Sequence, residues 1–288
     1  MMIKKRSKLN WILGIIILTL LPSNCLAGGG SSAEEDKAPV IEDKSKLLLS
    51  IMKEGNYSHV GGIEAINLLT SRAIKINPNI ENGNSLDVGC GFGGTAGFLQ
   101  DSGFSNMWGI DIDEEAIEHS KHNYPNVNFA TADATKLTDM FENEFFSFVY
   151  MFNVASEIPD KAAMLQKIKS VCKDGSILAI FDYTLAAPKN KEELLDHTGL
   201  AMHPINMDYL NMLLRVIGWE VIETTDITSN YQQWYTQTLE KISSRKDMLK
   251  ATGYSDAEIQ LVHDNFKHML KLMNDGKING TILIAKKV

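Results

Sequence analysis

A glycine-rich loop preceded by an acid is the first stretch of the sequence whose residue types could bind a cofactor. In the segment LDVGCGFGG, Asp87 is followed by Gly89, Gly91, Gly93 and Gly94. The first, second and fourth of these glycines satisfy the G-x-G-x-x-G pattern of dinucleotide-binding loops. The first three, with the acid before them, equally satisfy the acid-x-G-x-G-x-G pattern of loops that bind S-adenosylmethionine (SAM). Both ligands require a tight backbone turn at the start of a helix, so the loop alone leaves the cofactor open.

Features further along the chain favour SAM. Asp111, in WGIDID, ends a second apolar run about 20 residues after the loop, where either ligand would use an acid to accept the ribose hydroxyls. Asp133, in TADA, follows a third apolar run and could accept the exocyclic amine of adenine. A final pair of segments, WEVIETTDI and GTILIAKKV, predicts an antiparallel sheet edge, which dinucleotide domains usually lack. The alternative role for each acid is a helix cap or a solvated turn.

The elements that would carry these acids alternate along the chain from residue 84 onwards. Short apolar runs, SLDV, MWGI, VNFAT, FFSFVYMF and SILAIFDY, are separated by segments whose apolar residues have helical spacing. This alternation predicts an α/β fold: a Rossmann-like, mostly parallel sheet of seven strands, with an antiparallel last strand and helices on both faces. Additional helices are predicted before the sheet, at 44–83, and near its end, at 230–274.

Taken in order, DVGCGFGG, GIDID, TADA, FVYMFNV and ILAIFDY resemble the successive motifs of the class I SAM-dependent methyltransferases. The resemblance implies methyl transfer with SAM as the cofactor. The residues that it implies around SAM are Gly62, Asp87, Gly89, Gly91, Gly93, Asp111, Ile112, Asp133, Ala134 and Asn153. The loop glycines would border the methionine part of SAM, and Asp87 would support its amine end. Asp111 would hold the ribose, while Ile112, Asp133 and Ala134 would surround the adenine.

Three stretches are more specifically similar to small-molecule N-methyltransferases, in particular the phosphoethanolamine methyltransferases. They are NYSHVGGIEA, ITSNYQQWY and the long helical segment that ends in GTILIAKK. The first stretch implies a lid over SAM that includes Tyr57, Gly61 and Gly62. The alternative is that the two glycines only join two helices. His59 lies in the same stretch, and we expect it to point to solvent.

The sequence departs from this family where the methyl acceptor would bind. The family places an acid after the fourth strand and a catalytic histidine four residues later, but here Asn153 and Glu157 occupy these positions. Glu157 is the candidate general base for an amine, and an acid in the first turn of the next helix is its alternative role. His203 is a second candidate base, and Tyr57 completes the catalytic candidates. Tyr183 matches a tyrosine that touches the substrate phosphate in that family. The basic residue that should accompany this tyrosine cannot be placed in the sequence. Phosphoethanolamine is therefore disfavoured as the methyl acceptor, whereas another amine is still expected.

An aromatic group near the end of the chain could enclose a cationic substrate. Tyr231, Trp234 and Tyr235 would make cation-π contacts with such a substrate. The alternative is an aromatic stripe that packs a helix on the sheet. The sequence contains no cluster of His, Cys and acids with metal-ligand spacing, so no metal is expected.

The N-terminal 27 residues have the layout of a secretory signal, with basic residues, an apolar run of 11 residues and then small residues. A spanning helix needs roughly 20 apolar residues, so we expect cleavage after Ala27 and export, periplasmic or secreted. An uncleaved signal would instead anchor the protein in a membrane. Residues 28–43, rich in glycine, serine and acids, predict a flexible tether. The SAM-dependent methyltransferase domain would then occupy 44–288.

Charge and cysteine content limit the partners. Removal of the signal takes away four basic groups and no acids, which changes the formal net charge from −8 to −12. An acidic surface repels nucleic acid, so the expected partner is a small-molecule methyl acceptor, and the sequence leaves the oligomeric state open. Cys90 and Cys172 stand in apolar contexts, which indicates buried thiols rather than a disulfide framework.

The leading hypothesis is therefore a SAM-dependent methyltransferase that acts on a small molecule, at nitrogen. A SAM-fold binding protein without transferase activity is one alternative, because both catalytic residues of the resembled family are absent and SAM is made in the cytosol. An exported effector methyltransferase is another, and a dinucleotide oxidoreductase is a more remote one.

Overall fold

The computed structural model describes residues 48, 52, 55–57, 59–186 and 203–288. The predicted signal at 1–27 and tether at 28–43 lie outside the described residues, and so does most of the first predicted lid helix. Within the described ranges, no helix has both the length and the apolar character needed to cross a membrane.

Seven strands form one mixed sheet in the order β3-β2-β1-β4-β5-β7-β6. The strands are β1 (Asn84–Val88), β2 (Asn106–Asp111), β3 (Asn128–Thr131), β4 (Phe146–Phe152), β5 (Cys172–Leu185), β6 (Trp219–Asp226) and β7 (Ile278–Lys287). Neighbours from β3 to β5 are parallel, and β7 is antiparallel to both β5 and β6. The predicted Rossmann-like sheet with an antiparallel last strand is confirmed. Its strand order reverses between β1 and β4, which opens a crevice at their carboxyl ends.

Eight α-helices and two short 3-10 helices connect these strands in the described part of the chain. The α-helices are α1 (Gly62–Ile76), α2 (Gly94–Asp101), α3 (Glu114–Asn123), α4 (Lys161–Val171), α5 (Met207–Ile217), α6 (Thr228–Ser244), α7 (Lys246–Ala251) and α8 (Asp256–Asn274). The 3-10 helices are η1 (Pro78–Asn82) and η2 (Ala134–Asp139). The predicted pair of helices at 230–274 is therefore three helices, because the chain also breaks at Arg245.

The two faces of the sheet bury separate hydrophobic cores. On β4, Phe148, Tyr150 and Phe152 point to the core that contains α1, α6 and α8, whereas Val149 and Met151 point to the core that contains α4 and α5. This alternation follows from the two-residue period of a strand. Both faces of β4 and β5 are covered, which explains their nearly continuous apolar sequences. Both cysteines of the described region are buried and free, as their sequence contexts indicated.

Candidate active site

The glycine-rich loop joins β1 to α2 and is held against the end of β2. The backbone N–H groups of Gly89 and Cys90 both donate to the carbonyl of Ile110, at 2.8 and 2.9 Å. Gly89 has a φ of 71°, and a Cβ built on it would lie 2.4 Å from a methyl group of Val154. A side chain at this position would therefore be strained and would collide with the segment that follows β4. Gly89 also lines the cavity described below, so it presents only backbone atoms there.

Asp111 ends β2 and fixes the conformation of the glycine loop. Its carboxylate is 5% exposed and accepts the N–H of Gly91 at 2.9 Å and that of Asp113 at 3.0 Å. One carboxylate thus ties the loop after β1 to the turn before α3. Asp111 also lines the cavity described below.

Asp133 follows β3 and caps the helix η2. Its Oδ1 atom accepts the N–H of Thr135 at 2.8 Å and the Thr135 hydroxyl at 2.7 Å. Partial burial opposes ionisation, but these hydrogen bonds and the charge of Lys136 outweigh burial and lower the pKa of Asp133 below its ordinary value. The helix-cap role of this acid is thus observed. Its Oδ2 atom lies 3.8 Å from the Nζ atom of Lys136, and Asp133 also lines the cavity described next.

A cavity of about 300 Å³ lies at the carboxyl ends of β1, β2, β3 and β4. Its size is within the range of small-molecule sites. The lining residues are Val88, Gly89, Ile110, Asp111, Ile112, Ala132, Asp133, Ala134, Thr135, Phe152, Asn153, Val154, Glu157, Ile158, Pro159 and Asp160. Four of these are acids and none is basic. The cavity therefore combines an apolar wall with carboxylate acceptors.

Six of the ten residues expected around a cofactor line this cavity. They are Gly89, Asp111, Ile112, Asp133, Ala134 and Asn153. Gly91 and Gly93 lie further along the same loop with φ values of 53° and 78°, outside the lining set. Gly62 begins α1 and is not part of the lining either.

Asp87 lies beneath the loop rather than on the cavity wall. Its side chain is 3% exposed. Burial raises its pKa to about 8, the neighbouring hydroxyl of Tyr150 opposes this shift, and the charge of Asp111 adds to it. The carboxyl is thus largely protonated near neutral pH. Asp87 can support the loop, but direct contact with a ligand would need a path past the glycines.

Asn153, directly after β4, holds an unusual backbone conformation at the cavity. Its φ is 56°, in the left-handed region that side chains other than asparagine and aspartate rarely adopt. Its N–H donates to the carbonyl of Phe181 at 2.7 Å, and its side-chain amide donates to the hydroxyl of Tyr231 at 2.7 Å. These bonds to β5 and α6 fix the wall of the cavity from behind.

Glu157 lies on the cavity wall, in the segment between β4 and α4. Burial raises its pKa to about 8, the charge of Asp182 adds to the shift, and the charge of Lys161 opposes it. A carboxyl group with a pKa near the working pH can accept a proton. Helix α4 begins only at Lys161, capped by Asp160, so the alternative placement of Glu157 in the first turn of that helix is wrong.

The lid segment is attached to the start of α2. The ring of His59 stacks on Phe152 with 4.1 Å between centroids. Its Nδ1 atom donates to the carbonyl of Val60 at 2.9 Å, and its Nε2 atom lies 3.1 Å from the hydroxyl of Thr95. With 1% exposure, His59 does not point to solvent, and that expectation was wrong. The side chain is buried because aromatic stacking and both hydrogen bonds stabilise it in the core.

Gly61, the first of the two glycines in the predicted lid, does more than join two helices. A Cβ on Gly61, which has a φ of 85°, would lie 2.7 Å from the indole of Trp234. The backbone of the lid therefore packs directly on α6. Tyr57, the other lid residue expected from the sequence, lies near His59 with 5.9 Å between ring centroids, but it is not part of the cavity lining.

The aromatic residues proposed as a substrate wall belong to the core. Tyr231 and Tyr235 are fully buried and Trp234 is 2% exposed. Tyr235 shares a 2.6 Å hydrogen bond with the hydroxyl of Tyr183, and Trp234 donates to Glu64 at 2.9 Å. None of these three residues, nor Tyr183, lines the cavity, and a contact between any of them and a substrate stays a prediction. They pack α6 on the sheet, which was the alternative, because their large apolar rings are more favourable in the core.

His203 is not brought to the site. It is exposed, and it is not among the residues that line the cavity. Conversely, the sequence interpretation missed Asp182, which is 1% exposed and lies beside the segment that carries Glu157. Its position near the carboxyl end of β5 was the available signal, because ligands of such sheets bind at these ends.

A protein-family model described as "Methyltransferase domain" matches residues 63–224. Among curated relatives, an O-methyltransferase of Penicillium expansum is 27% identical over 213 residues, covering 68% of this chain and 76% of the relative. Phosphoethanolamine N-methyltransferase 3 of Arabidopsis thaliana is 24% identical over 210 residues, covering 70% of this chain and 42% of the relative.

Among solved structures, the fold is similar to phosphoethanolamine N-methyltransferase 2 of Haemonchus contortus. That structure is a complex with phosphomonomethylethanolamine and S-adenosylhomocysteine. The TM-score is 0.75 at 18% identity, covering 85% of this chain and 57% of the other. The present chain therefore spans about half the length of the two phosphoethanolamine methyltransferases that it matches.

Proposed function

This chain belongs to the methyltransferase-domain family, since the family model covers more than half of its residues, and on that premise we propose that it transfers a methyl group from SAM to the nitrogen of a small amine. The side chains that line the cavity support a nitrogen atom as the methyl acceptor.

The residues around the cavity fit SAM. Gly89 lines the cavity, and its backbone conformation and the close contact with Val154 leave no room for a Cβ. Asp111 would accept the ribose hydroxyls, and Ile112 and Ala134 would flank the adenine, whose amine Asp133 would meet. When bound, SAM supplies an activated methyl group on a sulfonium. Its positive charge is compatible with the four acids that line the cavity.

The proposal depends on the position and the ionisation of Glu157. It is a carboxyl group on the cavity wall whose pKa is raised to about 8. An ammonium group must lose its proton before its nitrogen can attack, and Glu157 accepts that proton in its ionised form. The nitrogen then forms a bond to the methyl carbon while the sulfur–carbon bond breaks, and the sulfur retains the electron pair. The protein contributes positioning and a proton acceptor.

The charges of the site disfavour an acceptor that carries a phosphate. Among the residues that the structure describes, none that lines the cavity is basic, and the nearby Lys161 donates to the carbonyl of Ile158 at 3.0 Å. Tyr183, which matches a phosphate-contacting tyrosine, is 5% exposed and bonded to Tyr235. A phosphate would therefore meet carboxylates rather than cations. An amine whose remaining groups are neutral or cationic is the acceptor we propose.

Oxygen methylation is the second candidate, because the relative from Penicillium expansum is an O-methyltransferase that matches 68% of this chain. Glu157 could also accept the proton of a hydroxyl group. Methylation of hydroxylated compounds, with amines unreactive, would favour this candidate over the first.

The test uses purified full-length protein and isotopically labelled SAM. Calorimetry should show SAM binding, and the label should pass to members of a panel of primary, secondary and tertiary amines. Phosphoethanolamine is included as the matched phosphorylated acceptor and should react less well than ethanolamine. Glu157→Gln should retain SAM binding and lose transfer by about 100-fold. Failure to bind SAM at millimolar concentration would overturn the proposal, and binding without transfer to any acceptor would favour a SAM-binding protein without activity.

Export is a separate proposal, supported by the basic, apolar and small-residue layout of residues 1–27. N-terminal sequencing of the protein from cell fractions tests it. We expect a new terminus after Ala27 in the periplasmic or secreted fraction. A chain that keeps Met1 and is found with the membrane would instead indicate an anchor.

A further inference from the structure

Asp182, near the carboxyl end of β5, is a buried acid with hydrogen bonds to both of its oxygens. Oδ1 accepts the hydroxyl of Ser156 at 2.7 Å and the N–H of Tyr183 at 2.7 Å. Oδ2 accepts the N–H of Ser156 at 3.0 Å. Burial raises the pKa of Asp182, whereas these three donors and the charge of Lys161 oppose the shift by favouring the ionised form.

Two of the three donors come from Ser156, which lies in the segment between β4 and α4. This segment carries the cavity residues Asn153, Val154 and Glu157. Elsewhere in the segment, the N–H of Asn153 donates to the carbonyl of Phe181 on β5 at 2.7 Å, and the N–H of Glu157 donates to the carbonyl of Val154 within the segment at 3.0 Å. Asp182 therefore connects β5 to the middle of the segment at Ser156, the residue before Glu157.

Two charged groups face Glu157 from the elements packed against it. Asp182, on β5, raises the pKa of Glu157, and Lys161, in the first turn of α4, lowers it. The effect of Asp182 is repulsion between like charges, which is strong when both groups are removed from water. The same acid that anchors the segment thus also changes the ionisation of the side chain beside it.

We propose that Asp182 is the positioning residue for Glu157: it holds Ser156 through both oxygens and places a negative charge next to the base. This inference rests on the proposed role of Glu157 in methyl transfer. As a consequence, the charge of Asp182 makes Glu157 keep its proton more readily than burial alone would cause. Once an acceptor with positive charge enters the cavity, that charge offsets the repulsion and favours the ionised, proton-accepting form.

The proposal predicts the titration of Glu157, which can be measured without any methyl transfer. Full-length protein is prepared with carbon-13 in the glutamate side-chain carboxyl groups, and the resonance of Glu157 is assigned by its absence from Glu157→Gln. The wild-type midpoint should lie near pH 8. Asp182→Asn should lower it by about one unit, because a buried like charge is removed. Lys161→Met should raise it, because the opposing charge is lost.

Ser156→Ala separates position from charge. It removes the hydroxyl donor but leaves the carboxylate of Asp182 and the backbone donor in place. We expect methyl transfer to fall by about tenfold through a lower kcat, with the midpoint of Glu157 close to that of the wild type. A loss of the same size in Asp182→Asn with an unchanged midpoint would mean that Asp182 is only structural, and would overturn the proposal.

A reciprocal measurement covers the case in which Asp182→Asn fails to fold. Interaction between two sites acts equally on both, so Glu157→Gln should lower the midpoint of Asp182, measured with labelled aspartate. An unaltered Asp182 midpoint would overturn the proposal. Absence of transfer by the wild type with every acceptor would contradict the proposed function instead, since these titrations would still report whether the two acids interact.

Discussion

Asn153 joins the wall of the cavity to the core, because its side-chain amide donates a 2.7 Å hydrogen bond to the hydroxyl of Tyr231. Tyr231 is fully buried on α6, while Asn153 lies at the cavity with a φ of 56°. The hydrogen bond explains how an uncommon backbone conformation is held at the site, and why a residue of the helical region near the end of the chain can influence ligand binding without contacting the ligand.

Tyr231→Phe should weaken SAM binding although the residue does not line the cavity. Loss of the hydroxyl leaves the amide of Asn153 without its acceptor, which costs about 1 kcal/mol, or about fivefold in the dissociation constant. Calorimetry measures the effect. Tyr235→Phe is the matched control: it also removes a buried hydroxyl, bonded to Tyr183, and should lower the free energy of unfolding while SAM affinity stays unchanged. Equal affinity losses in both variants would contradict this prediction.

Gly89→Ala should abolish most SAM binding. A Cβ at this position would lie 2.4 Å from Val154, on a backbone with a φ of 71°. Strain of this kind and overpacking together cost several kcal/mol, so a loss of roughly 100-fold in affinity is expected. Gly253→Ala is the control, because Gly253 has a φ of 97° but no atom within 4 Å of the added Cβ. It should lower the unfolding temperature and leave SAM affinity intact.

Asp111→Asn should weaken SAM binding by roughly 10- to 100-fold, because charge-assisted hydrogen bonds contribute about 1.5–3 kcal/mol. It should also loosen the glycine loop, because the two oxygens of Asp111 accept the N–H groups of Gly91 and Asp113 separately, and asparagine has only one oxygen. The control is Asp113→Asn two residues away. Asp113 caps α3, and asparagine is an equally good cap, so stability and SAM affinity should both be retained. Comparable affinity losses in the two variants would argue against a ligand contact at Asp111.

Asp87 predicts how the stability of the folded protein depends on pH. Its pKa in the folded state is about 8, against an ordinary value of 3.8. As the pH rises from about 4 to about 8, the unfolded chain loses this proton and the folded chain keeps it, so the free energy of unfolding should fall by up to about 1.4 kcal/mol per pH unit. Asp87→Asn removes the part of this dependence that Asp87 contributes and leaves the part contributed by Glu157, whose pKa is also raised to about 8. Denaturant unfolding at several pH values checks it, and parallel curves for both proteins between pH 5 and 8 would refute it.

The rate of methyl transfer should rise with pH through about 8, because only the ionised form of Glu157 accepts a proton and burial raises its pKa to about that value. Initial rates at low acceptor concentration measure this profile, because kcat/KM reports the ionisation of Glu157 before the acceptor binds. The acceptor amine also titrates, so two amines of different pKa are compared in parallel. A midpoint that follows the acceptor and is retained in Glu157→Gln would show that Glu157 is not the base.

Much of the fold and of the cofactor end of the site could be predicted from residues that are close in sequence. Glycines at the turn after β1, Asp111 after β2 and Asp133 after β3 are local signals, because a strand end and the turn behind it are set by neighbouring residues. Parallel strands then bring these ends to the same edge of the sheet. Gly89, Asp111 and Asp133 indeed line one cavity.

Only the tertiary structure decided which side chains face that cavity. Tyr231, Trp234 and Tyr235 are spaced for either a core or a substrate wall, and packing of α6 on the sheet placed them in the core. His59 was expected at the surface, but stacking on Phe152 buried it. Such outcomes depend on contacts between residues far apart in the sequence, which periodicity does not report.

The same distinction applies to the proposed base. The sequence by itself determined that a carboxyl group, Glu157, follows the fourth strand where the resembled family has a histidine. The structure decided that Glu157 precedes the next helix, lies on the cavity wall and has Asp182 beside it. The physical reason is that ionisation depends on burial and on nearby charges, and these arise only when β4, β5 and α4 are packed together.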